Sequence, residues 1–200
     1  MRVDQWLPAA HRGDAIGDEA IRIRDTLVRA GISSRIFALD IDEEAAPDVE
    51  PFPDRRECDV TIFHFALPSP LTQEFSREKS KRVLVYHNIT PPEFFLGYDQ
   101  ELVRIAASGR EELKALAGSA DLALGDSEFN RAELERSGFG STGVLPILID
   151  FAPYEECVPD PVLEEMLGDG RANFLFVGRV YPNKRFEDLA RLAFFYKKYV

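Results

Sequence analysis

The chain has 200 residues, of which 45% are apolar, and a formal net charge of −11 at pH 7. That length and composition give one well-buried core plus part of another and exclude a disordered chain. The negative balance excludes broad attraction to nucleic acid or anionic membrane, since the only basic clusters are Arg77 to Arg82 and Arg179 to Arg185. Cys58 and Cys157 are far apart and outside any metal-ligand spacing, so neither a disulfide framework nor a zinc site is expected, and a reducing cytosol is the expected setting. No apolar run approaches the roughly 20 residues of a membrane span, and Asp4 and Gln5 interrupt any signal-peptide core.

Met1 to Leu7 reads as a first strand, and Pro8 to Ala15 as a loop. Ile16, Ala20, Ile23 and Leu27 then recur at helical spacing, with Gly31 in the place of a C-terminal cap. Ser34 to Leu39 is a second strand, and the acidic, proline-bearing stretch from Asp40 to Pro53 is a surface connection. Asp59 to Phe63 and Arg82 to Tyr86 are the third and fourth strands, with a helix over Pro68 to Ser80 between them; each strand is followed at once by a histidine, His64 or His87. In doubly wound sheets ligands gather beyond the carboxyl ends of the strands, which makes both histidines cleft candidates. A structural hydrogen bond near a strand end is the competing reading for each.

Pro91 and Pro92 break any helix between Asn88 and Tyr98, so Phe94 and Phe95 either form an acceptor-facing lip or pack under the next helix. That helix covers Asp99 to Gly118. Asp121 to Leu124 is a fifth strand, Ser127 caps the helix after it, and Thr142 to Leu145 is a sixth strand. Pro146 to Asp169 reads as a linker passage holding a short helix over Val162 to Leu167. Beyond it the chain restarts: Phe174 to Val177 is a buried strand, Gly178 and Pro182 punctuate a loop, and a final helix opens near Lys184 and runs to Tyr199. Alternating strands and helices of this kind predict an α/β fold, a Rossmann-like doubly wound parallel sheet, followed by the first strand–helix unit of a second such domain.

The loop after Val177 carries Arg179 and Lys184 ahead of free helix N–H groups, an arrangement that suits a phosphate or pyrophosphate. Arg179 offers a planar fork and Lys184 a mobile point charge. Gly178-Arg179, four residues, Lys184 and then Phe186-Glu187-Asp188-Leu189 resemble the opening of the C-terminal domain in group 1 glycosyltransferases of GT-B fold. Upstream, a glycine-containing first loop, Tyr86-His87-Asn88, Gly125-Asp126-Ser127-Glu128-Phe129-Asn130 and Val144-Leu145-Pro146-Ile147 with Asp150 follow in the order of that family.

The resemblance implies residues 1–150 as an acceptor-side domain, 151–171 as linker and 172–200 as the start of a nucleotide-sugar domain. It implies a retaining transfer of sugar from a nucleotide diphosphate to a hydroxyl on a glycan, lipid or small molecule, as in polysaccharide or glycan biosynthesis. The nucleotide sugar is a substrate, so no cofactor and no essential metal are implied. Arg179 and Lys184 would bind the donor diphosphate, and His87 would reach the donor sugar or the acceptor. Gly13, Asp14 and Gly17 form the first loop, whose usual glycine pair is replaced by Gly13-Asp14. An acid opposes phosphate there, so Asp14 or Asp18 either hydrogen-bonds an acceptor hydroxyl or caps the helix. The paired glutamates expected further on lie past Val200, so the 200 residues are read as a truncated piece that is inactive alone and docks residues 172–200 on a second copy or leaves them poorly ordered. A sugar-nucleotide epimerase or phosphorylase and a non-catalytic Rossmann-like binding module are the alternatives that the same architecture allows.

Overall fold

The computed structural model describes residues 1–55 and 57–199, which divide into two units, Met1–Leu148 and Ile149–Val200. The first is built on a seven-stranded, all-parallel sheet of order β3-β2-β1-β4-β5-β6-β7. The strands are β1 (Arg2–Ala10), β2 (Ser33–Ile41), β3 (Glu50–Pro51), β4 (Val60–Phe65), β5 (Lys81–Tyr86), β6 (Leu122–Gly125) and β7 (Thr142–Val144). The helices between them are α1 (Ala15–Arg29), α2 (Leu71–Arg77), α3 (Gln100–Leu116) and α4 (Glu128–Arg136). After β2 and β3 the chain returns to the other side of β1, so the strand order reverses between β1 and β4, the switch point at which such sheets collect ligands.

The side-chain period of two sorts each strand between the two faces. Trp6, Phe63, Phe65, Leu84 and Tyr86 point to one face, where Phe75 of α2, Leu113 and Leu116 of α3 and Leu134 of α4 close over them. Leu7, Ile36 and Ala38 point to the opposite face and pack with Ala20 and Ile21 of α1. Gln5 and His64 share that second face and are fully buried among apolar neighbours. Two helix ends follow the capping chemistry read from the sequence, Ser127 accepting from the N–H of Asn130 and Gly31 turning at a φ of 78° after α1, and Asp99 caps α3 as well, accepting from the N–H groups of Glu101 and Leu102.

In the first unit three expectations change. β1 runs on through Pro8 to Ala10, because beyond Trp6 only β2 pairs with it and the missing N–H of Pro8 falls where no partner is needed. The stretch from Asp40 to Pro53 is more than a surface connection: Glu50 and Pro51 pair beside Phe37 and Ala38 as the edge strand β3, and Ala45 and Val49 join the core. His64 lies inside β4, opposite Val85, rather than after the strand.

The second unit holds α5 (Ala152–Glu155), α6 (Pro161–Leu167), a 3-10 turn at Pro182–Lys184 and α7 (Phe186–Tyr199). The strand expected over Phe174–Val177 does not form, since a strand needs a neighbour to satisfy its N–H and C=O groups and no other strand is found among the described residues of this unit. The run is exposed, Leu175 at 90%, while Phe174 and Phe176 meet the rings of Tyr196 and Phe186 edge-on at 5.7 and 4.9 Å. No helix among the described residues is long and apolar enough to cross a membrane.

Candidate functional site

Between the middle of β1, the carboxyl ends of β4, β5 and β6, and α1, five polar side chains meet in the interior. Gln5 of β1 donates from Nε2 to the carbonyl of Ala20 at 2.9 Å, which fixes its amide so that Oε1 faces His64 Nε2 at 3.0 Å. That contact requires a proton on His64 Nε2, and burial holds the imidazole neutral by pushing its pKa well below the usual histidine value. Nδ1 of His64 is therefore an acceptor, and it takes the Nε2 proton of His87 at 2.9 Å. His87 Nδ1 is left facing two carboxylates, Asp126 Oδ1 at 3.3 Å and Glu19 Oε2 at 3.5 Å.

Glu19 is fully buried, and neither of its oxygens has a hydrogen-bond partner; Asp126 Oδ1 has none either. Burial pushes the Glu19 carboxyl from 4.5 up to about 7, Asp126 pushes the same way, and His87 and Arg22 pull it back. The sign for stability follows. The protonated acid is accommodated below pH 4.5, and the stability it carries is lost as pH rises through about 7, a span corresponding to about 3 kcal/mol. Glu19→Gln, uncharged throughout, should therefore gain about 3 kcal/mol on the parent protein between pH 4.5 and pH 8 in metal-free buffer. Urea unfolding at both pH values checks this, and the opposing effect of neutral His64 is common to both proteins and cancels in the difference.

The backbone around His87 is held from the other face of the sheet. Tyr86 donates its hydroxyl proton to Glu133 Oε2 at 2.8 Å and accepts from the Ile89 N–H at 3.0 Å, while Arg110 grips the Ile89 carbonyl at 2.6 Å and pairs with Glu133. Between these anchors Asn88 takes a left-handed φ of 67°, unusual for a side chain with a Cβ and characteristic of functional turns. The sequence expectation placed the His87 ring in a cleft; instead its side chain is only 4% exposed and points inward, and the exposed residue at the end of β5 is Asn88.

The first loop is close by in the fold, at the end of β1. Gly13 has a φ of 75°, and Gly17 sits so near the loop that a Cβ there would lie 2.7 Å from the His11 carbonyl oxygen. Gly17→Ala should push the loop off α1 and cost about 1 to 3 kcal/mol, read as a lower urea midpoint. Asp14 occupies the N-cap of α1 but makes no side-chain capping bond, and Asp18 lies 3.9 Å from Arg12. The aromatic lip divides: Phe95 is packed in the core and Phe94 is half exposed.

Arg179 and Lys184 are exposed in the second unit. Lys184 ends the 3-10 turn and α7 begins only at Phe186, after Arg185 has turned through a left-handed φ of 52°, so Lys184 precedes the final helix rather than opening it. Sequence reasoning did not assemble Gln5, Glu19, His64 and Asp126. The available signal was polar residues at positions whose period marks them as buried: Gln5 beside Trp6, and Glu19 beside Ala20 within the apolar stripe of α1.

No protein-family model and no curated protein matches the sequence. Solved structures do. A sucrose-phosphate synthase from Thermosynechococcus elongatus aligns at a TM-score of 0.54 and 12% identity over 84% of this chain and 52% of that one. WaaG, a glycosyltransferase involved in lipopolysaccharide biosynthesis, aligns at 0.52 and 11% identity over 83% and 51%. An alpha-glucosyltransferase in complex with UDP and a 13-mer DNA aligns at 0.51 and 12% identity over 76% and 43%. The fold is that of the GT-B glycosyltransferases. The chain spans about half the length of these GT-B structures.

Proposed function

We propose that the protein belongs to an enzyme that moves a sugar from a nucleotide-diphosphate donor to a hydroxyl acceptor on a glycan, lipid or small molecule, with retention at the anomeric carbon. The observation that carries the reading is the parallel sheet, which has the fold of a UDP-bound glucosyltransferase and of WaaG over most of this chain. Arg179 and Lys184 take the donor diphosphate, the leaving group on which negative charge accumulates. His87 acts as a positioning residue: its ring is tied into the buried chain, and what it sets in place is the Asn88 turn at the sheet edge. The loop of Gly13, Asp14 and Gly17 and the half-exposed Phe94 contribute acceptor contacts.

The apolar side chains exposed on α7, including Leu192 and Phe195, support pairing of residues 172–200 with a second copy, which sedimentation equilibrium would register as a dimer. Incubating the intact gene product with a panel of nucleotide sugars and hydroxyl acceptors tests the function. Release of nucleoside diphosphate with a new glycoside of unchanged anomeric configuration is the expected result. Conversion of the donor to its epimer without transfer, or turnover of no nucleotide sugar, would overturn it.

A further inference from the structure

The geometry points to a divalent cation of the zinc class held by His87 Nδ1, Glu19 and Asp126 inside the first unit. This stands apart from the proposed sugar transfer and needs no donor, acceptor or second unit.

The first argument is spacing. Nδ1 of His87 lies 3.3 and 3.5 Å from the two carboxylate oxygens, beyond the 2.7 to 3.2 Å of an ordinary N–H···O bond, and all three atoms fall within 4.8 Å of one another. Atoms about 2.0 to 2.1 Å from a tetrahedral zinc ion stand about 3.3 to 3.4 Å apart, so these separations match two edges of a shared coordination sphere.

The second is the state of the donors. Glu19 is wholly buried with both oxygens unpartnered, and Asp126 Oδ1 is buried and unpartnered as well. Buried carboxylates of this kind demand a positive partner. Arg22 lies on the same helix and turns its Nη1 to the Leu148 carbonyl.

The third is the outer shell. Histidines that bind metal through one ring nitrogen donate the other N–H to a fixed acceptor, and here the acceptor is His64 Nδ1, itself oriented by Gln5 and the Ala20 carbonyl. The relay turns His87 Nε2 to His64 and leaves Nδ1 facing the two carboxylates. One imidazole and two carboxylates are a donor set for zinc or cobalt; a wholly oxygen set would favour magnesium or calcium. Three protein ligands leave a fourth position for water or for Oε1 of Glu19.

The test uses the 200-residue chain, stripped with a chelator and titrated with Zn2+ or Co2+. One equivalent should bind, with the visible absorption of tetrahedral Co2+ and no thiolate charge-transfer band. Glu19→Gln and Asp126→Asn, both near-isosteric, should each weaken binding at least tenfold. A long-range 1H–15N spectrum of the parent protein gives a readout independent of variants: Zn2+ should move the His87 Nδ1 resonance and leave its Nε2 proton in place. Absence of binding, a thiolate band assigning the metal to Cys58 or Cys157, parent-like affinity in either variant, or an unmoved His87 resonance would each overturn the assignment.

Discussion

Replacing Arg110 by alanine should lower the unfolding free energy of the first unit by about 3 to 5 kcal/mol, the range for breaking a buried ion pair from one side. Glu133 is nearly buried, with a side chain only 11% exposed, and its oxygens are shared between the Arg110 guanidinium and the Tyr86 hydroxyl. Without the guanidinium the carboxylate keeps a single neutral donor, and the Ile89 carbonyl loses the donor recorded for it. The Tyr86 hydroxyl, whose pKa burial and Glu133 already raise, cannot supply a charge to compensate. For a chain of this length the loss corresponds to a fall of roughly 6 to 20 °C in Tm. Trp6 is the one tryptophan and is fully buried in β1, so its fluorescence follows the first unit directly. The double variant Arg110→Leu with Glu133→Leu should recover most of the loss, because the penalty belongs to the orphaned charge. A single variant as stable as the parent protein would show that water replaces the guanidinium without penalty.

On the proposed sugar transfer, Arg179→Ala and Lys184→Ala in the intact gene product should each reduce kcat by about a hundredfold to a thousandfold with little change in KM, corresponding to about 2.7 to 4 kcal/mol. The asymmetry comes from timing: charge on the departing diphosphate is greatest in the transition state, so a cation aimed at it contributes there and little to ground-state binding. The two side chains should differ under conservative exchange. Arg179→Lys loses the planar fork and should recover only part of the rate, whereas Lys184→Arg keeps a charge at the end of a flexible stem and should recover more. Steady-state kinetics at saturating acceptor separates these outcomes. An unchanged kcat in both alanine variants would remove the diphosphate role.

What could be read from the sequence, and what could not, follows from the range of the forces involved. Local rules found the strands that alternate or run apolar, the Asp99 and Ser127 regions as helix starts, and Gly31 as a helix end, because each depends on neighbours within a turn. β3 escaped notice because two residues, one a proline, carry no period. Phe174–Val177 looked like a strand because it is apolar, yet pairing depends on a partner that a local rule does not inspect. The buried site was half visible. His87 stood out at a strand end, but its meeting with Glu19, 68 positions earlier, and Asp126, 39 later, depends on the crossover order of the sheet. Tyr86, Arg110 and Glu133 each looked ordinary alone, and only the folded backbone brings them around Ile89.

β1 places two polar residues side by side in the middle of the sheet, and each is answered on a different face: Asp4 by the forked guanidinium of Arg35 at 3.0 and 3.3 Å, Gln5 by His64. Sliding this strand by one position one way would present the Asp4 carboxylate to the neutral imidazole and set Val3 against Arg35, and the opposite slip would set Gln5 against the arginine and the indole of Trp6 against the imidazole, in the wrong helix layer. The central strand is thus keyed like an asymmetric plug. A misthreaded sheet would pay twice for the error, and refolding after dilution from urea should return a single pairing without trapped slipped forms.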